Sequence, residues 1–138
     1  MSTQRQVLIV EDESSMQILL RHLLLRSGYV VTLASNGLEA KEILGKQRFD
    51  LICSDVMMSG IDGIQLCLWA KNNEQLRDIP FVILSSRAQQ GEKELGLQAG
   101  ADAYLTKPFD VHDLLQTLQH FLPIEDDVSP PPQKTDDA

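Results

Sequence analysis

Asp55 ends the apolar run Leu51-Ile52-Cys53-Ser54 and opens a loop broken by Gly60 and Gly63, so the chain delivers a carboxylate from a short buried-looking segment straight into a turn. Taken singly, such an acid reads as a turn residue, because Asp bonds readily to its own backbone. Other reactive side chains share the arrangement. Glu11 and Asp12 follow Val7-Leu8-Ile9-Val10, Ser85 follows Phe81-Val82-Ile83-Leu84, and Lys107 lies just beyond Ala103-Tyr104-Leu105. Each also has an ordinary reading alone: acids favour the positive end of a helix dipole, and serines and lysines are common at strand ends and surfaces. Together they are three carboxylates, a hydroxyl and an ammonium at the exits of apolar runs.

If those exits meet, the three carboxylates repel, since two unit charges about 4 Å apart cost about 4 kcal/mol at an effective dielectric near 20. A cation must then sit among them. Oxygen donors with open positions suit Mg²⁺, which keeps waters and completes its shell with phosphate oxygens. A nucleotide or flavin cradle is disfavoured, because the first loop is Glu11-Asp12-Glu13 and no Gly-x4-Gly-Lys-Ser/Thr motif occurs. The chemistry left is phosphoryl transfer onto Asp55, a carboxylate nucleophile that forms an acyl phosphate. Lys107 would supply a point charge to the phosphoryl oxygens and Ser85 a hydroxyl donor, with no general base required.

The elements that must position these groups alternate along the chain. Val7 to Val10 predicts a central parallel strand. Ser14 or Ser15 is placed to cap a helix carrying Met16, Leu19, Leu20, Leu23 and Leu24, and Gly28 stops it. Residues 29–34 predict a second strand by their β-branched content, and Asn36-Gly37 leads into a helix through Leu38, Ala40, Ile43 and Leu44. Leu51 to Ser54 is the third strand, with a helix from Gly63 to about Lys71. Phe81 to Leu84 is the fourth strand. The next helix, about Gly91 to Ala99, carries only Leu95, Leu97 and Ala99 as apolar markers and contains two helix-weakening glycines. Residues 103–105 give a fifth strand, and Val111, Leu114, Leu115, Leu118 and Phe121 stripe a last helix. Five strands alternating with five helices predict a parallel sheet covered on both faces by right-handed crossovers. Such a sheet gathers its strand exits into one crevice.

Composition limits the alternatives. A chain of 138 residues with 43% hydrophobic and 23% charged residues fits one globular domain. No apolar run reaches the roughly 18 residues of a membrane span. The first residues lack the charged and apolar regions of a signal peptide, so the expected location is cytoplasmic. The net charge is −8, of which residues 123–138 hold one Lys and five acids, leaving eleven Lys/Arg against fifteen Asp/Glu in residues 1–122. A net-acid chain without a basic stripe is not expected to bind nucleic acid directly, because that affinity rests on neutralised phosphates. Cys53 and Cys67 lie in apolar patterns with no ligand spacing and read as small buried hydrophobes. His22, His112 and His120 fall on helix patterns rather than strand exits. Residues 123–138, with three adjacent prolines, are expected to form a disordered acidic tail or linker.

The residues carry a family resemblance. Val10-Glu11-Asp12-Glu13, the Asp55-x-x-Met58-x-x-x-Asp62-Gly63 loop, Ser85 after an apolar strand, and Lys107-Pro108-Phe109 resemble, in order and spacing, the receiver domain of two-component response regulators from Val7 to about Leu122. The resemblance implies an α/β fold over 1–122, a doubly wound five-stranded parallel sheet in the flavodoxin-like order 2-1-3-4-5 with five helices. It implies that Asp55 is the phosphoacceptor, that Asp12, Asp55 and the backbone carbonyl of Met57 hold Mg²⁺ with help from Glu11, and that Ser85 and Lys107 bind the phosphoryl group. Tyr104 takes the place of the switch aromatic, and the Lys107-Pro108 bond is expected to be cis. Three positions depart or vary: Ser59 stands where the family usually has proline, and Met57 and Arg87 occupy places that affect the lifetime of the phosphoryl group.

The implied partners are a sensor histidine kinase or histidine phosphotransfer protein as donor, and a downstream protein effector or a missing output domain as recipient. A homodimer through the switching face is compatible with the sequence. A phosphatase of the haloacid dehalogenase type would use a similar residue set, but it carries its nucleophile after the first strand with a second Asp two residues on, where this chain has Met57 after Asp55. A partner-binding module that is never phosphorylated would have no need of the complete set of acids, hydroxyl and lysine.

Overall fold

A computed structural model describes residues 4–56, 58, 60–85 and 92–123. The expectations placed on Met57, Ser59, Arg87 and the tail beyond Pro123 fall outside the described residues. Five strands, β1 (Gln6–Val10), β2 (Val30–Ala34), β3 (Leu51–Asp55), β4 (Phe81–Ser85) and β5 (Ala103–Thr106), alternate with five helices, α1 (Ser14–Arg26), α2 (Gly37–Leu44), α3 (Gly63–Lys71), α4 (Glu92–Gln98) and α5 (Val111–Phe121). All strand pairs are parallel, and the order is β2-β1-β3-β4-β5. The expected fold class and strand order are both observed.

Side chains alternate across the strands, which splits the core in two. Leu8, Val10, Ile52, Phe81 and Ile83 pack on one face against Ala40 and Leu44 of α2, Leu66, Cys67 and Ala70 of α3, and Ala99 beyond α4. Val7, Ile9, Leu51, Cys53, Val82 and Leu84 pack on the other against Leu20 and Leu24 of α1 and Leu114 and Leu118 of α5. The near-continuous apolar strands follow from this, since a parallel sheet is buried on both sides. Leu20 and Leu24 sit one turn apart and are wholly buried; truncating either to Ala should cost about 2–5 kcal/mol.

Details of the elements differ from expectation. Neither Ser14 nor Ser15 caps α1; Glu13 occupies the cap position, its side chain making no cap bond, and the Ser15 hydroxyl donates to the Glu13 carboxylate. Of the apolar markers of α4, Ala99 is buried as expected but Leu95 and Leu97 are exposed, and Gly96 is buried beside Ala99. A Cβ on Gly96 would stand 3.0 Å from Ile83 Cδ1 and 3.4 Å from the Tyr104 ring, so this glycine lets the helix approach β4 and β5 closely. Cys53 and Cys67 are buried and unpaired with each other, as expected. Among the described residues, no helix is long and apolar enough to cross a membrane.

Candidate functional site

Parallel pairing brings the carboxyl ends of β1, β3, β4 and β5 to one edge: Val10 pairs with Ser54, Asp55 with Leu84 and Ser85 with Thr106. The side chains that leave this edge are the ones singled out in the sequence. Glu11, Asp12 and Asp55 each place a carboxylate oxygen within 4.8 Å of the others. Lys107 Nζ lies 2.9 Å from Glu11 Oε1 and 3.4 Å from Asp55 Oδ2. Ser85 is fully buried at the end of β4, and Tyr104 is half-buried on β5. Met57 is the one predicted site residue outside the described residues.

Local structure explains why Asp55 is held where it is. β3 is buried along its whole length, so the acid is carried to the edge on a fully enclosed strand of the sheet. The Ser54 hydroxyl donates to the Asp55 carbonyl at 2.8 Å. Beyond the loop, Asp62 caps α3 reciprocally: its carboxylate accepts from Gln65 N–H at 2.8 Å, and the Gln65 side chain accepts from Asp62 N–H. Gly63 then passes so close that a Cβ there would stand 2.1 Å from the Asp55 carbonyl oxygen, which only glycine permits. On the lysine side, Lys107 N–H donates to the Ser85 carbonyl and the Lys107-Pro108 bond is cis, as expected.

The electrostatics of the cluster are set by burial and crowding. Burial pushes the Glu11 carboxyl above its usual range, because the hydrogen bond and charge of Lys107 and the Glu13 N–H only partly compensate and Asp55 adds repulsion. Burial would lower Lys107, but its bond to Glu11 and the charges of Asp55 and Glu11 prevail and raise it. The pair is therefore unequal: the ammonium has two anions, whereas Glu11 has one cation and an anionic neighbour. One atom stands out. Asp55 Oδ1 is buried and, among the described residues, accepts no hydrogen bond. An unsatisfied buried carboxylate oxygen is costly unless it is reserved for a ligand, and three hard oxygen donors at this spacing fit a small divalent cation such as Mg²⁺.

The site also contains a residue that sequence reading did not single out. Glu92, in the first turn of α4, accepts from the Ser85 hydroxyl at 2.8 Å and, through the same Oε1, from the Tyr104 hydroxyl. Burial and this carboxylate push the Tyr104 phenol up to about 12, the nearby Ser85 hydroxyl opposing them in part. Nothing in the spacing of Glu92 announces it, since it starts a helix, where acids are ordinary.

The family model described as the response regulator receiver domain matches residues 7–119. The chain belongs to the response regulator receiver domain family. Among curated relatives, the polar-differentiation response regulator DivK of Brucella anthropi is 34% identical over 118 residues, covering 86% of this chain and 96% of DivK. The response regulator MprA of Mycobacterium ulcerans is 37% identical over 124 residues, and this chain spans about half of it, 53%. Among solved structures, the receiver domain of the sensor histidine kinase PA1611 from Pseudomonas aeruginosa, described with a magnesium ion coordinated in its active site cleft, is 34% identical, covers 86% of this chain and 98% of its own, and superposes with a TM-score of 0.79. The receiver domain is thus a signalling module of two-component systems, with an acidic cluster of the composition that Mg²⁺ and an aspartyl phosphate require.

Proposed function

We propose that this receiver domain takes a phosphoryl group onto Asp55 from the phosphohistidine of a sensor histidine kinase or histidine phosphotransfer protein, with Mg²⁺ as cofactor. Asp12, Asp55 and the backbone carbonyl of Met57 would hold the cation, and Glu11, whose two oxygens are engaged by Lys107 and the Glu13 N–H, would support them. When bound, Mg²⁺ supplies charge neutralisation for the carboxylates and for the phosphoryl oxygens. In the transfer, the donor's N–P bond breaks as a carboxylate oxygen of Asp55 forms the new P–O bond. The bonding pair returns to the imidazole nitrogen, which takes a proton from solvent. Lys107 neutralises charge on the phosphoryl oxygens and the Ser85 hydroxyl donates to one of them.

The observation that carries this reading is Asp55 Oδ1, a buried carboxylate oxygen without a hydrogen-bond partner among the described residues, inside a cluster of three acids and a lysine. The output follows by position. The added charge draws Ser85 toward the phosphoryl group, Tyr104 moves into the space released, and the surface formed by α4, β5 and α5 changes. α4 and α5 expose Leu95, Leu97 and Val111, apolar side chains suited to a protein effector or an output domain. Incubation with acetyl phosphate and Mg²⁺ should give a single phosphoryl adduct by intact mass that is absent in Asp55→Asn and lost on chelation. An adduct that forms equally in Asp55→Asn would overturn the assignment.

A further inference from the structure

Ser85 and Tyr104 each carry one hydroxyl proton, and Glu92 Oε1 accepts both. A phosphoryl group on Asp55 is acceptor-only at neutral pH, so Ser85 binds it only by donating the same proton that Glu92 now holds. The two acceptors are therefore exclusive. Both are also anionic, so a carboxylate left beside a newly formed phosphoryl group would be repelled rather than shared. Glu92 lies half-buried at the start of α4, the helix that Gly96 lets pack tightly on Tyr104 and Ile83, so release of the carboxylate frees the end of that helix. We propose that Glu92 is a positioning residue that latches Ser85 and Tyr104 in the unphosphorylated arrangement, acting as an internal competitor of the phosphoryl group for the Ser85 hydroxyl. The inference builds on phosphorylation at Asp55 and adds what holds the switch closed beforehand.

The latch predicts that removing it makes the phosphoryl group easier to accommodate. Beryllium fluoride with Mg²⁺, a noncovalent mimic of the phosphoryl group on an aspartate, is the probe, and its binding is measured by calorimetry on the full chain. Glu92→Ala should tighten Mg²⁺-dependent beryllium fluoride binding about tenfold, equivalent to about 1.4 kcal/mol. Glu92→Gln, which keeps an acceptor oxygen of nearly the same shape without its charge, should tighten it by a smaller factor, about threefold. Affinity for Mg²⁺ alone should stay unchanged in both, because the hydrogen bonds of Glu92 go to Ser85 and Tyr104 and not to Glu11, Asp12 or Asp55; thermal melts of the two variants report their folding.

 Unchanged or weaker beryllium fluoride binding in both variants, with binding intact in the unsubstituted chain, would overturn the latch alone. If the unsubstituted chain takes up no beryllium fluoride in the presence of Mg²⁺, the phosphoacceptor reading falls, and the latch with it.

Discussion

Asp55 carries two opposite demands: it is held among like charges, yet one of its oxygens makes no hydrogen bond among the described residues. Replacing it with Asn removes one charge from the crowd while Lys107 keeps its 2.9 Å partner Glu11. Asp55→Asn should therefore abolish phosphorylation and stabilise the Mg²⁺-free protein by about 1 kcal/mol, seen as a higher Tm. Glu11 gives the pH dependence. Its carboxyl is raised above 4.5, so the native state holds this proton more tightly than the unfolded chain does. Its contribution to stability is fully present below 4.5 and is lost as pH rises through the raised value. Glu11→Gln should gain stability relative to the unsubstituted Mg²⁺-free protein as pH rises from below 4.5 toward neutral, measured by denaturant melts across that range. A third expectation concerns the thiols. Burial pushes Cys53 up to about 12 and Cys67 up to about 11, so neither should react with a thiol reagent at neutral pH until the protein is unfolded.

At the scale of elements, the approach of α3 to β3 is the most exacting contact of the site. Gly63→Ala would drive a Cβ into the Asp55 carbonyl. The substitution should cost about 1–3 kcal/mol in stability, and it should slow phosphorylation of Asp55 with acetyl phosphate by displacing its backbone. How far such contacts could be foreseen varies. The apolar runs of β1, β3 and β4 and the stripe of α5 were legible because burial on both faces of a parallel sheet, or on one face of a helix, imposes a pattern on the sequence. The packing of α4 was legible only at Ala99, because the rest of its buried side is made by Gly96, which carries no apolar signal, while Leu95 and Leu97 face solvent. The cap of α1 was misplaced for a related reason: Ser14 and Ser15 are good capping residues, but the helix begins at Ser14 with Glu13 before it.

For the whole molecule, the acid cluster couples folding to the cation. A ligand that binds only the native state at about a hundred times its dissociation constant stabilises by about 2.7 kcal/mol. Mg²⁺ should accordingly raise the Tm of the unsubstituted chain and do so much less in Asp55→Asn, a comparison that differential scanning calorimetry can make. The meeting of Glu11, Asp12, Asp55, Ser85 and Lys107 could be read from the sequence because the parallel topology sends every strand exit to one edge. Glu92 could not, since its role depends on how α4 packs against β4 and β5, and no residue type encodes that.

Tyr29 has its own consequence. Its buried hydroxyl donates to the Leu122 carbonyl at 3.1 Å, fastening the end of α5 beside the start of β2. That point lies at the amino ends of the strands, and a five-residue strand spans about 17 Å, so the polypeptide after Leu122 departs from the opposite pole to Asp55. Anything tethered there is joined to the site through α5, whose far end Tyr29 anchors, and must reach back along that helix to meet the changed surface.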